Sequence, residues 1–115
     1  MIEQSYREII EKLIQGTKHK KIKWEKTQRD TEFKVVLGRS MVTTDNWDLD
    51  TGSKCVDLAL WNSDGVVASR IAFEDNQEEG DDYKALMELY TLVRNSYYKV
   101  DETFAEVLSH LDFKD

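Results

Sequence analysis

Apolar residues near the start of the chain recur at helical spacing. Ile2, Tyr6, Ile9, Ile10, Leu13 and Ile14 follow at steps of three and four and form one stripe, as expected of an amphipathic helix packed on a core. Ser5 and Glu8 fit a capping box, which would start the regular part near Tyr6, and Gly16 is the expected left-handed stop. Residues 17–31 are polar and without clear period apart from Ile22 and Trp24. They predict a loop or short edge strand that carries Trp24 into the core.

The period then changes from helical to alternating. Phe33, Val35 and Leu37 share one face of a strand, Gly38-Arg39 suits a tight turn with glycine first, and Met41–Thr44 reads as the returning strand. Residues 45–54 read as a longer loop. Cys55–Trp61 and Val66–Phe73 form the clearest hairpin, joined by Asn62-Ser63-Asp64-Gly65. Two rules conflict over its register. A two-residue Asp64-Gly65 turn pairs Leu58 with Ile71 and Val56 with Phe73, whereas a type I turn with a bulge at Gly65 sets Leu58 opposite Arg70.

Beyond this hairpin a heptad seam begins. Tyr83, Tyr90, Tyr97, Phe104 and Leu111 lie seven residues apart, with Leu86, Val93, Val100 and Val107 between them. Asp81 is the expected N-cap. One continuous helix over 82–111 would be roughly 45 Å long, so a break near Val100-Asp101, with Asp101 capping a second helix, is the alternative. The fold expected is α+β: an N-terminal helix, a four-stranded antiparallel meander, and a long C-terminal helix or helix pair, in one domain spanning 1–115.

Composition narrows the class. The 115 residues are 40% hydrophobic and 34% charged, which is globular, and no proline interrupts the helices. Cys55 is the only cysteine, so no intrachain disulfide is available. Neither a signal peptide nor a run long enough to span a membrane is visible, and a cytoplasmic setting is expected. The net charge of −7 disfavours general affinity for nucleic acid. The charge is nevertheless sorted along the chain. Lys18, Lys20, Lys21, Lys23, Lys26 and Arg29 cluster against the single acid Glu25, while Glu74, Asp75, Glu78, Glu79, Asp81 and Asp82 cluster without a base.

No catalytic or cofactor motif appears: there is no phosphate-binding glycine loop, no dinucleotide fingerprint and no metal-binding pair. His19 and His110 lack a second ligand at metal spacing, and Cys55 reads as a small buried hydrophobe. The acidic run lacks the ligand spacing of a calcium loop and reads as solvated. No cofactor and no catalytic residue are expected. The basic segment with Trp24 has the composition of a strand-binding surface, cations for phosphates and a ring for a base, or of a surface for an acidic protein partner. Should the C-terminal helix overhang the sheet, Tyr97, Phe104, Val107, Leu108 and Leu111 would form an apolar patch that a second copy of the chain covers. A third expectation is a small-ligand pocket between sheet and helices, lined by Trp47, Trp61 and the tyrosines.

In these features the chain resembles a group of small bacterial domains of uncharacterised function. The resemblance rests on the first helix ending at Gly16-Thr17, on Lys21-Ile22-Lys23-Trp24-Glu25 and on the Asp-Gly hairpin. It also includes the pattern Tyr83-x-x-Leu86-x-x-Leu89-Tyr90-x-x-x-Arg94 followed by Val100-Asp101. It implies the fold and a bacterial cytoplasmic or mobile-element setting, and no activity. The leading functional expectation is therefore a non-enzymatic protein–protein interaction module that forms a homodimer. A nucleic-acid-associated regulator using residues 18–29 is the first alternative.

Overall fold

A computed structural model describes residues 2–113. Eight elements follow in order: α1 (Gln4–Lys18), β1 (Glu25–Lys26), β2 (Phe33–Leu37), β3 (Ser40–Asp48), β4 (Lys54–Trp61), β5 (Val67–Glu74), α2 (Gly80–Tyr97) and α3 (Val100–His110). The strands make one antiparallel sheet in sequence order. It has five strands rather than four, because Glu25 and Lys26 pair with Lys34 and Phe33 and add a two-residue edge beside the buried Trp24.

Helix α2 lies on β3–β5, and α1 packs against α2. The core is built where these layers meet, from Tyr6, Ile10 and Leu13 of α1, the helix-facing row Phe33, Val35, Val42, Val56 and Leu58, and Leu86, Leu89, Tyr90 and Val93 of α2. The tyrosine hydroxyls reach polar partners at the edges of this layer. Tyr6 bonds Ser69, and Tyr90 donates to the Thr31 carbonyl at 2.6 Å.

Helix α1 starts earlier and runs further than the sequence predicts. Glu3 is its N-cap and makes no side-chain cap bond, so Ser5 and Glu8 form no capping box. Gly16 lies inside the helix instead of ending it. A Cβ there would collide with Ile22, 2.8 Å from its Cγ1 and closer still to Cδ1, so the glycine makes room for the returning chain. The left-handed residue is Lys20 (φ 57°), after which Lys21 and Ile22 both donate to the Gly16 carbonyl at 2.8 and 3.3 Å. Here close approach and backbone conformation are separate requirements, met four residues apart.

The sheet departs from expectation at two places. Residues 45–48 continue β3, with Asp45, Asn46, Trp47 and Asp48 opposite Asp57, Val56, Cys55 and Lys54, and the connecting loop shrinks to 49–53. Asp and Asn are poor strand formers, but their side chains are satisfied across the sheet. Asn46 Nδ2 donates to the Cys55 carbonyl at 2.8 Å, and Asp57 accepts from the Asp45 amide at 3.0 Å. In the β4–β5 hairpin both competing rules hold. Gly65 has φ 76°, and Asn62 closes the turn on Val66 at 2.9 Å, which is the type I geometry. A register shift next to Trp61 then restores the pairs Leu58–Ile71 and Val56–Phe73. The bulge returns the apolar residues to one face.

The helical third is broken. Tyr97 ends α2, Lys99 adopts φ 54°, and α3 begins at Val100 with Asp101 in its first turn instead of at its cap. Glu79, not Asp81, precedes α2; Asp81 and Asp82 sit in its first turn, where negative charge favours the helix dipole. No residue of α3 is buried. The radius of gyration is 16.3 Å, against about 13 Å for a compact chain of this length, and the extents are 58 × 36 × 28 Å. Among the described residues, no helix is long and apolar enough to cross a membrane.

Candidate functional site

The fold divides the basic segment between two sides of the molecule. Trp24 is only 3% exposed, and its Nε1 donates to Thr17 Oγ1 at 3.0 Å, while that hydroxyl donates to the Leu13 carbonyl at 2.7 Å. The indole belongs to the core and presents no face on which a base stacks. Lys18, Lys20 and Lys23 line a cleft of about 660 Å³ against Asn95, Tyr97 and Lys99 of the α2–α3 junction. Lys20 spans it to Glu102 at 3.0 Å. Lys21 is exposed outside the cleft lining. Lys26 approaches Asp30 at 3.8 Å, and Arg29 crosses to the far side of the sheet. Trp24 thus lies buried at the inner wall of the cleft that Lys18, Lys20 and Lys23 line, while Lys21, Lys26 and Arg29 lie outside it, so the fold gathers only part of the basic segment.

On α3 the expected apolar residues do share a face. Val100, Phe104, Val107, Leu108 and Leu111 follow at i, i+4, i+7, i+8 and i+11 along one stripe. Phe104 is 67% and Leu108 64% exposed, and Val107 and Leu111 are about as open. Tyr97, at the end of α2, instead turns inward to Phe33, 5.3 Å between ring centroids, and edge-on to Tyr98 at 5.0 Å. It therefore caps the core at the root of the stripe. His110 lies on the other side of α3, 3.1 Å from Glu106.

The third cluster occupies the sheet face that carries no helix. Strand alternation places Thr43, Asp45 and Trp47 of β3, Cys55, Asp57, Ala59 and Trp61 of β4, and Arg70 of β5 on this side. Asp45 and Asp57 are directly opposite each other and both buried. Two ionised carboxylates so placed repel, and each is held by its own arginine: Asp45 Oδ2 lies 3.0 Å from Arg29 Nη2, and Asp57 Oδ2 2.8 Å from Arg70 Nε. Asp45 Oδ1 further accepts from Thr31 Oγ1 at 2.6 Å and the Asn46 amide at 2.8 Å. Burial pushes the Asp57 carboxyl above its usual range, Arg70 pulls it back, and the neighbouring Asp45 adds to the rise. Trp47 lies under the Arg70 guanidinium, 5.6 Å from ring centroid to Cζ, and Trp61 Nε1 is tied to Thr43 Oγ1 at 3.0 Å. These residues line a cleft of about 390 Å³.

Trp47 and Trp61 thus do line a cleft, but on the face opposite the tyrosines and helices, which corrects the expected pocket between sheet and helices. The sequence signal for this cluster was Asp57, one carboxylate in the middle of an apolar strand. In the register that unites the apolar faces, Arg70 falls diagonally across from it on the same face. Cys55 is buried beside Trp47, and burial raises its thiol above the ordinary range, which opposes reactivity. Among the described residues no group of three or more His, Cys, Asp or Glu side chains is placed to hold a metal ion.

These features define a small α+β protein with a one-sided core, an open sheet face and an uncovered terminal helix. No protein-family model, curated protein or solved structure matches the chain.

Proposed function

We propose that the protein is a non-enzymatic interaction module that self-associates through α3. The carrying observation is a regular eleven-residue helix with no buried residue and a continuous apolar stripe. Isolated helices shorter than about 12–15 residues are marginal in water, and α3 takes little support from the body beyond its junction with α2. A covered stripe supplies what the fold omits.

A second copy of the chain suits the stripe because it is self-complementary. Two α3 helices packed antiparallel about a two-fold axis place Phe104 of one copy opposite Leu111 of the other, and Val107 opposite Leu108. Burying what remains exposed of these four side chains on each copy contributes roughly 1 kcal/mol apiece, set against an association cost of about 4–15 kcal/mol. The eight side chains together give about 8 kcal/mol. At the low end of that cost the balance is about 4 kcal/mol, a weak reversible dimer in the millimolar range, with the partner protein of the module entering through other surfaces.

Sedimentation equilibrium up to concentrations on the order of 1 mM tests the reading. The unaltered chain is expected to show concentration-dependent dimer, and Leu108→Lys to be monomeric with an unchanged urea midpoint, because Leu108 lies outside the core. A monomer throughout that range, or an L108K variant that dimerises equally, overturns it.

A further inference from the structure

The open sheet face carries a second site, independent of α3. Its carboxylates are buried and engaged: Asp45 and Asp57 are 3% and 6% exposed, and both oxygens of each already accept a bond. Beneath the arginines, they present no open carboxylate to an incoming cation. The guanidiniums they hold are in the opposite condition. Arg29 and Arg70 have side chains 63% and 48% exposed, and each commits one nitrogen to its aspartate. A guanidinium has five N–H donors, and both arginines line the cleft, so each keeps donors beyond the one its aspartate takes.

The floor between the arginines is low, since Thr43 and Ala59 are small and buried, and the ends of the cleft are indoles. The hydrogen bond to Thr43 fixes Trp61 in plane, so its ring is a rigid wall. Preoriented donors beside a fixed aromatic face recognise an anion and a flat ring together. A space of about 390 Å³ accommodates one such molecule and not a large ligand. Asp45 and Asp57 balance the two arginines and Glu32 at the rim leaves the lining one negative charge in sum, so an anion is held by the directed N–H donors and not by net charge. With the chain's net charge of −7 this favours a single anionic group over a nucleic-acid strand.

We propose that this cleft binds a small organic anion carried on a flat ring, with the phosphate or carboxylate held between Arg29 and Arg70 and the ring against Trp61. The three tryptophans supply the readout, because Trp24 is an internal control: its buried ring lines the separate α2–α3 cleft, so a shift there reports binding at the lysines and not at Arg29 and Arg70. Adenosine 5′-monophosphate and benzoate, titrated separately into the full chain, are followed through the three indole N–H signals by NMR. At least one probe is expected to shift the Trp47 and Trp61 signals saturably below about 10 mM and to leave Trp24 in place; which probe saturates tells phosphate from carboxylate. Adenosine and inorganic phosphate, each lacking half of the ligand, should bind at least about tenfold more weakly than the monophosphate if phosphate is the group taken; benzyl alcohol plays the same role for benzoate. Arg29→Gln is expected to weaken binding by a similar factor, with the Trp24 signal confirming the fold. Failure of both probes to saturate, equal binding of the uncharged analogue, or unchanged binding by a folded R29Q overturns the proposal. The first two results need no variant.

Discussion

Replacing Thr17 by Val tests the assignment of Trp24 to the core with an almost isosteric change. The Thr17 hydroxyl does two things: it accepts from Trp24 Nε1 at 3.0 Å and donates to the Leu13 carbonyl at 2.7 Å. Both side chains are buried, 4% and 3% exposed, at the inner wall of the α2–α3 cleft, so the indole N–H loses its partner once the hydroxyl is gone. An unsatisfied buried donor costs about 1–3 kcal/mol, while Leu13 keeps its helical bond and Val fills the same volume. The expected loss is ~2 kcal/mol, and with an unfolding entropy of about 2.1 cal/mol/K per residue this lowers Tm by roughly 8 °C. Thr17→Ser keeps the hydroxyl and deletes one methyl group, at a cost of about 1 kcal/mol. Urea unfolding followed by far-ultraviolet circular dichroism measures both, with m-values unchanged if the native state is intact. T17V as stable as the unaltered chain, or more stable than T17S, would refute the buried hydrogen bond and return Trp24 to the surface.

Two further outcomes follow from backbone strain and from burial. Lys20 is a non-glycine residue at φ 57° whose ion pair with Glu102 is exposed; Lys20→Gly should raise stability by about 0.5–1 kcal/mol, and a lower urea midpoint would contradict the strain argument. Burial pushes the Tyr90 phenol up to about 12, whereas an unfolded tyrosine titrates near 10. The folded state therefore keeps a proton that the unfolded state releases, so this contribution is intact below pH 10 and is lost as pH rises from 10 to 12. Allowing for partial solvent access, the loss is about 1–2 kcal/mol; it should vanish in Tyr90→Phe, and parallel stability–pH curves for the two proteins across that window would rule it out.

Periodicity reads well where one force decides the outcome. The α1 stripe and the alternation of Phe33 and Val35 identify their elements because a single buried face selects them, although Leu37 at the end of β2 stays exposed. The β4–β5 register is a different case, since turn geometry and core pairing each favour a different alignment. Neither rule is wrong: the bulge beside Trp61 satisfies both, and no feature of either strand alone announces it. Gly16 misleads because a glycine near a helix end has two uses, and only the position of Ile22 shows that room, not left-handed backbone, is the need. The heptad spacing of Tyr83 to Leu111 continues through the break, so the seam cannot reveal that Lys99 turns the chain. Asp45 to Asp48 look like loop because their satisfaction lies across the sheet. That hides the Asp45–Arg29 half of the open-face cluster, while the sequence expectations pass over the signal for the other half, Asp57 as a lone carboxylate in an apolar strand. The α3 stripe was readable residue by residue, and its exposure only on the condition that the helix leaves the sheet.

The strict sequence order of the meander also sets a schedule for biogenesis. Each strand finds its neighbour in the strand just made, so the sheet can be laid down hairpin by hairpin as the chain is synthesised. Its helix-facing row of Phe33, Val35, Val42, Val56 and Leu58 stays bare, however, until Leu86, Leu89 and Val93 exist to cover it. At about 5–20 residues per second, the interval from the end of β5 to Val93 is about one to four seconds. Helix α1, made first, has to wait through the same interval for α2 to dock against. A nascent chain of this design emerges with its largest apolar surface open to chaperones, and α2 closes it.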